Sequence, residues 1–279
     1  MARKLFCEIN PLTYKISILK ENLKRYFTWI FGDKLYAKTF NHHKLPVLVY
    51  KHTSLIRRTL GNVDIELQNN KAINLNIATT KVNNIIIRPN ETFSFWKLIG
   101  VCTRKKGYLD GLIIKGGAVD KGVGGGMCQF TNLIHWMILH SPLDIVEHHH
   151  HNSLDLFPDF NRQIPFGIGT SIMYNYLDYQ VTNHTENTFQ IRVSTTETHL
   201  CGELRCSNEL KYSYHIQEES HYYSYEGDRY YRNNEIFRET IDKQTGNLIN
   251  KQLLIKNHSK VMYDDQYIPK DKIRVKMNG

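Results

Sequence analysis

Six residues, Gly124-Gly125-Gly126-Met127-Cys128-Gln129, lead into a run to His140 that is apolar at almost every position. Phe130, Leu133, Ile134, Met137 and Ile138 recur at helical spacing, and Trp136 and Leu139 widen the stripe. A helix apolar on most of its circumference must be buried, so the rest of the chain has to wrap a core around it. Ser141-Pro142 ends the run, because proline cannot continue a helix. Three successive glycines lose much conformational freedom on folding. They imply either a close approach of backbone to a ligand or a turn that only glycine can make.

The flanking sequence reads as a mixture of helices and strands. Asn10-Pro11 has the pattern of an N-cap and first helical residue. Ile16, Leu19, Leu23, Tyr26 or Phe27, and Ile30 follow at helical spacing, and Gly32 is a stop. Lys15, Lys20, Lys24 and Arg25 decorate the remainder, so this helix either packs on the body or lies on an anionic membrane surface. Leu45 to Tyr50 reads as a strand, and residues 69–83 as a helix with Ile73, Ile77 and Thr80 on one side. Ile85-Ile86-Ile87 is a short buried strand, and Leu143 to Glu147 is a strand leading into His148-His149-His150-His151. Beyond Gly169, the alternations Ile172/Tyr174/Tyr176 and Phe189/Ile191/Val193 predict a hairpin. Residues 212–262 carry further short strands, with Gly246 in a turn.

Length, charge and cysteine usage narrow the class. The 279 residues suffice for one large domain or two small ones, and 41% hydrophobic with 23% charged residues is ordinary for a globular protein. A formal charge of +9 favours anionic partners, yet the basic residues are dispersed and no nucleic-acid-binding motif is present, so nucleic acid is not expected. The basic start lacks the apolar core of a secretory signal. Cys7, Cys102, Cys128, Cys201 and Cys206 show no framework spacing and read as reduced thiols, which points to a cytoplasmic setting.

The chemistry concentrates at Cys128. At the first turn of a buried helix, free backbone N–H groups and the positive dipole end favour a thiolate. A thiolate nucleophile needs a base, and the His run supplies one. If residues 143–151 are extended, His149 and His151 share a face and His148 and His150 take the other. His135 lies on the same helical side as Cys128 but roughly 10 Å away along the axis. Other readings remain. The cysteine could be a small buried hydrophobe, the His run could be solvated, or it could hold a metal with Cys128 or Asp155 as third ligand. No Cys-x-x-Cys partner accompanies it, and neither metal nor cofactor is expected.

Several motifs in order resemble those of the VanW family. They are Glu91-Thr92-Phe93-Ser94-Phe95-Trp96, Gly107-Tyr108, Gly124 to Gln129, His140-Ser141-Pro142-Leu143 and Phe157-Pro158-Asp159. Glu147 to His151 resembles the family's Glu-Arg-His-x-His, with His148 in place of the arginine. The likeness covers roughly residues 40–205. It implies cell-wall or glycopeptide-related biology by association only. Larger relatives carry Gly-Arg-Asp where this chain has Gly167-Ile168-Gly169. If that aspartate orients the histidine in those relatives, this chain must use another group, such as Asp155 or Asn152, or lack the third member.

The expected fold is α+β: a buried Cys-bearing helix packed on an antiparallel sheet, an N-terminal helical extension over 1–40, a VanW-like domain over 41–205 and a β-rich appendage over 206–279. The expected chemistry is thiol acyl transfer or amide hydrolysis on a peptide or cell-wall precursor. Cys128 is the nucleophile, and His151 or His149 the base. Gly124, Gly125, Gly126, Gln129 and Asn132 form the ligand-binding set. The rival is a non-catalytic module that holds an anionic ligand or partner on the glycine loop and helix N-terminus. Peripheral contact with an anionic membrane through the N-terminal helix is a further expectation.

Overall fold

The computed structural model describes residues 5–57, 65–115, 118–150, 154–156, 158–159 and 163–274. In chain order its elements are α1 (Pro11–Phe31), β1 (Leu35–Tyr36), β2 (Thr39–Phe40), β3 (Val47–Leu55), α2 (Ile65–Val82), β4 (Ile85–Ile87), β5 (Glu91–Ser94) and α3 (Phe95–Ile99). Then follow β6 (Asp110–Lys115), β7 (Ala118–Val123), α4 (Met127–Leu139), β8 (Asp144–Glu147), β9 (Leu154–Asp155), β10 (Gln180–Thr182), β11 (Phe189–Thr195) and β12 (His199–Cys206). The chain finishes with β13 (Tyr212–Glu226), β14 (Arg229–Asp242), β15 (Leu248–Val261) and β16 (Ile273–Arg274). The fold is α+β, with an N-terminal helix and a β-rich C-terminal part.

Among the described residues the strands form four sheets, ordered β1-β5-β10-β8, β2-β4-β11-β12-β3, β16-β13-β14-β15-β9, and the hairpin β6-β7. The helix α4 lies on the second sheet, against β12 and β3. Gly202 of β12 allows this close approach: a Cβ there would stand 2.8 Å from Met137 Sδ and 2.9 Å from Leu133 Cδ2. Around α4 the main core gathers Phe93 and Phe95, Leu75 and Ala78 of α2, and Leu200 and Leu204 of β12, all fully buried. Phe130 meets Phe95 edge to face at 5.4 Å, an arrangement aromatic pairs favour.

Three local expectations are corrected. In α2 the buried face is Lys71, Leu75, Ala78 and Val82, whereas Ile73 is exposed and Thr80 faces solvent. A helix rich in Asn and Thr gives the spacing of its few isoleucines little power to indicate the inner face. The alternation Ile172/Tyr174/Tyr176 is not a strand. Asn175 adopts a left-handed φ of 53°, and Leu177 N–H bonds back to the Met173 carbonyl at 2.9 Å, closing a turn. The strand begins later, as β10, and pairs with β5 and β8; β11 pairs with β4 and β12, so the two belong to different sheets and form no hairpin. Finally, the tail is a meander of long strands of 15, 14 and 14 residues rather than short ones, with Gly246 at φ 74° between the last two.

Candidate functional site

Gly126 caps α4 with φ 110°, a conformation that side-chained residues rarely adopt. The two residues before it are glycine because β6 presses on Gly125 and Cys102 on Gly124. A Cβ on Gly125 would come within 2.3 Å of the Gly111 carbonyl carbon, and one on Gly124 within 2.5 Å of Cys102 Cβ. Asn74 of α2 fastens the junction: its Nδ2 donates to the carbonyls of Leu109 (3.0 Å) and Gly125 (2.9 Å), and its Oδ1 accepts from Leu109 N–H at 2.8 Å. The space beside the three glycines is thus filled by the protein itself, by the Gly111 backbone and the Cys102 and Lys71 side chains.

Behind it, α4 carries a polar seam in an otherwise apolar helix. Cys128, Thr131, Asn132 and His135 fall at i, i+3, i+4 and i+7, one face of a helix. The segment 169–172 runs along this face. The backbone of Ile172 hydrogen-bonds the Cys128 sulfur. Thr170 donates its N–H (2.6 Å) and hydroxyl (2.8 Å) to Asn132 Oδ1, and its hydroxyl also pairs with that of Thr131. Gly169 O lies 3.2 Å from His148 Nε2. His148 stacks on His135 at 4.2 Å and meets His150 at 4.1 Å, and His135 Nδ1 lies 3.1 Å from the buried Tyr179 hydroxyl. Cys128, Asn132, His148 and His150 keep partial exposure, while Thr131, His135 and Thr170 are buried.

The electrostatics of the seam follow from that burial. Burial pushes the Cys128 thiol up; the hydrogen bonds from Ile172 and from its own backbone work the other way without reversing the shift. Burial likewise drives His135 well below the usual imidazole value and His148 down to about 4, with the neighbouring imidazoles adding to both. Burial thus favours the protonated thiol at Cys128 and the uncharged imidazole at His135 and His148. Desolvation of the charge opposes the thiolate that the helix N-terminus is expected to favour.

His149 turns to Glu147, with Nε2 3.1 Å from Oε1. Glu147 is a hub: Arg25 of α1 donates both terminal nitrogens to it at 2.6 and 2.5 Å, and the Asp178 N–H adds a bond of 2.9 Å. His151, Asn152 and Phe157 lie outside the described residues. Asp155 is committed elsewhere. It is buried beside Arg232 and accepts from Tyr263 Oη at 2.8 Å. Gln129, of the expected ligand-binding set, donates its amide nitrogen to Ser54 Oγ (2.8 Å) and Leu55 O (2.9 Å) on β3. Among the described residues, the Cys128 sulfur has backbone rather than imidazole partners. All five cysteines are free.

Thr131, Thr170 and the stacking of His148 on His135 were missed from sequence. A signal existed: the polar residues of α4 other than Gln129 share one face. Strand alternation puts His148 on the face opposite His149, but the chain from His148 to His150 is not a strand, so two-residue alternation does not apply.

Fold and site together define an α+β domain organised around a thiol-bearing buried helix, and comparison with known proteins places it. A family model described as "VanW like protein" matches residues 70–205. The chain is similar to the vancomycin B-type resistance protein VanW of Enterococcus faecalis (strain ATCC 700802 / V583), 30% identical over 263 residues, covering 94% of this chain and 95% of that protein. It is also similar to the uncharacterized protein YoaR of Bacillus subtilis (strain 168), 30% identical over 122 residues, covering 43% of this chain and 37% of that one. No solved structure matches. The chain belongs to the VanW family.

Proposed function

We propose that this chain is an accessory protein of glycopeptide resistance or related cell-wall biology that recognises a peptide or peptidoglycan precursor along the α4 seam, without thiolate chemistry. The link to resistance rests on the relative whose name carries it. The recognition reading rests on one observation: Cys128, Asn132 and His148 line one partly exposed seam and bond there to the backbone of Gly169, Thr170 and Ile172, with burial pushing the Cys128 thiol up. Uncharged donors and acceptors suit amides better than a formal charge. Of the groups that reach the surface, Asn132 carries no charge, and burial favours the uncharged forms of Cys128 and His148.

A second reading, thiol acyl transfer with His151 as base, draws support from the partial exposure of Cys128 at the first turn of α4. Alkylation of Cys128 by iodoacetamide against pH decides between the two. Under recognition, the rate climbs through the ordinary thiol value of 9.0 and beyond, and His149→Ala and His151→Ala change it by less than roughly twofold. A rate plateau on the acid side of neutrality that disappears in His151→Ala would establish the thiol enzyme instead.

A further inference from the structure

The helix α1 is turned inside out relative to a packed helix. Its polar side faces the body: Tyr14, Ser17, Asn22 and Arg25 are half-buried there, with Trp29 beside them against the core. Arg25 clamps Glu147, Tyr26 Oη meets Tyr174 Oη at 2.7 Å, and Lys97 Nζ sits 4.9 Å over the Trp29 ring. On the opposite side Leu12, Ile16, Leu19, Leu23, Phe27 and Ile30 form one continuous stripe at helical spacing. Leu12 is 66% exposed, Phe27 60% and Ile30 69%. None of the 21 residues is buried. A stripe of this length is larger than scattered surface apolar residues require and marks a surface that meets something.

Charge says what that is. Lys15, Lys20 and Lys24 are exposed along the stripe's two margins, Arg3 and Lys4 precede the helix in sequence, and the acidic residue of the helix, Glu21, lies on the body-facing side. We propose that α1 is an in-plane membrane helix, seating its apolar stripe in the interface of an anionic lipid bilayer with the lysines on the headgroups. Among the described residues no helix is long and apolar enough to cross a membrane. A symmetric second copy fits less well, since it would bring the same lysines together across the stripe. Because Arg25 holds Glu147, the residue just before the His run, membrane seating would also fix the orientation of the α4 seam to the lipid surface. The inference stands whether that seam binds or catalyses.

Full-length protein is sedimented with vesicles of phosphatidylglycerol and phosphatidylcholine in equal parts, and with phosphatidylcholine alone. Binding is expected to the anionic vesicles and to weaken with salt. The pair Leu19→Glu/Leu23→Glu is expected to lower it by roughly tenfold or more, and Lys20→Glu/Lys24→Glu to lower it while leaving the apolar stripe intact. Both pairs are exposed, so circular dichroism should match the parent. Equal sedimentation of parent and Leu19→Glu/Leu23→Glu with anionic vesicles would overturn the proposal. So would a dimer in solution that Leu19→Glu/Leu23→Glu dissociates, found together with no vesicle binding.

Discussion

Two helices of this chain, α1 and α4, carry apolar stripes of similar spacing and end in opposite surroundings. In α4, ten of thirteen residues are buried, and even its polar seam is half-closed by the segment 169–172. In α1, none of 21 is buried, and the polar side is the one that touches the protein. Periodicity reports which face is apolar; it does not report what covers that face. The cover of α4 is decided elsewhere in the sequence, by Gly202, Leu200 and Leu204 on β12 and by Leu75 and Ala78 on α2. For α1 no such complementary surface exists among the described residues.

The sharpest break of this contrast is a matched truncation. Phe130→Ala removes a fully buried ring and should cost about 3–5 kcal/mol in urea unfolding, through lost transfer energy and the cavity left behind. Phe27→Ala, on the exposed stripe, should change stability by no more than about 0.5 kcal/mol in lipid-free buffer. Equal costs would mean that α1 packs on the body in solution.

Acid should act on the α4 side. Folding lowers His148 and His140 from 6.5 to about 4, mainly by burial, and lowers His135 for the same reason, whereas α1 contains no histidine. The unfolded chain binds protons at these sites first. Their contribution is therefore complete above about pH 6.5 and is lost as pH falls toward 4. For His148 the loss should be roughly 2 kcal/mol, seen as a urea midpoint that drops across this window. His148→Gln should flatten that drop, and an unchanged slope would mean that His148 is solvated.

The sequence made some of this legible and hid the rest for physical reasons. Asn10, Pro11 and Gly32 bracket α1 as expected because caps are local: Asn10 Oδ1 accepts from Leu12 and Thr13 N–H, both at 2.9 Å. The glycine-to-apolar transition placed the start of α4 for the same reason. The purpose of the glycines did not show, because it depends on Gly111 and Cys102, brought close only by folding. The surroundings of the His run stayed hidden likewise: His149 is claimed by Glu147, itself set by Arg25, distant in sequence. Alternation misled at Ile172 to Tyr176, where an asparagine that tolerates left-handed backbone made a turn.

The smallest expected effect tests the clamp between the two regions. Arg25 and Glu147 are 14% and 17% exposed and meet in a two-pronged geometry, so their pairing should exceed that of a surface ion pair and fall short of a fully buried one. Burial pushes the Glu147 carboxyl up, but Arg25, the Asp178 N–H and His149 together bring it below its usual range. Its contribution is then present above the unfolded carboxylate value and lost as pH falls through the lower folded one. Arg25→Met keeps much of the stem's packing and removes the charge, while the Asp178 and His149 bonds remain to Glu147. The cost should be about 1 kcal/mol, and the Glu147 carboxyl should titrate higher by NMR. A double-mutant cycle with Glu147→Gln isolates the pair. If its coupling is near zero while Trp29→Ala still loosens α1, the helix is held by the indole under Lys97, and the charge pair only sets its angle.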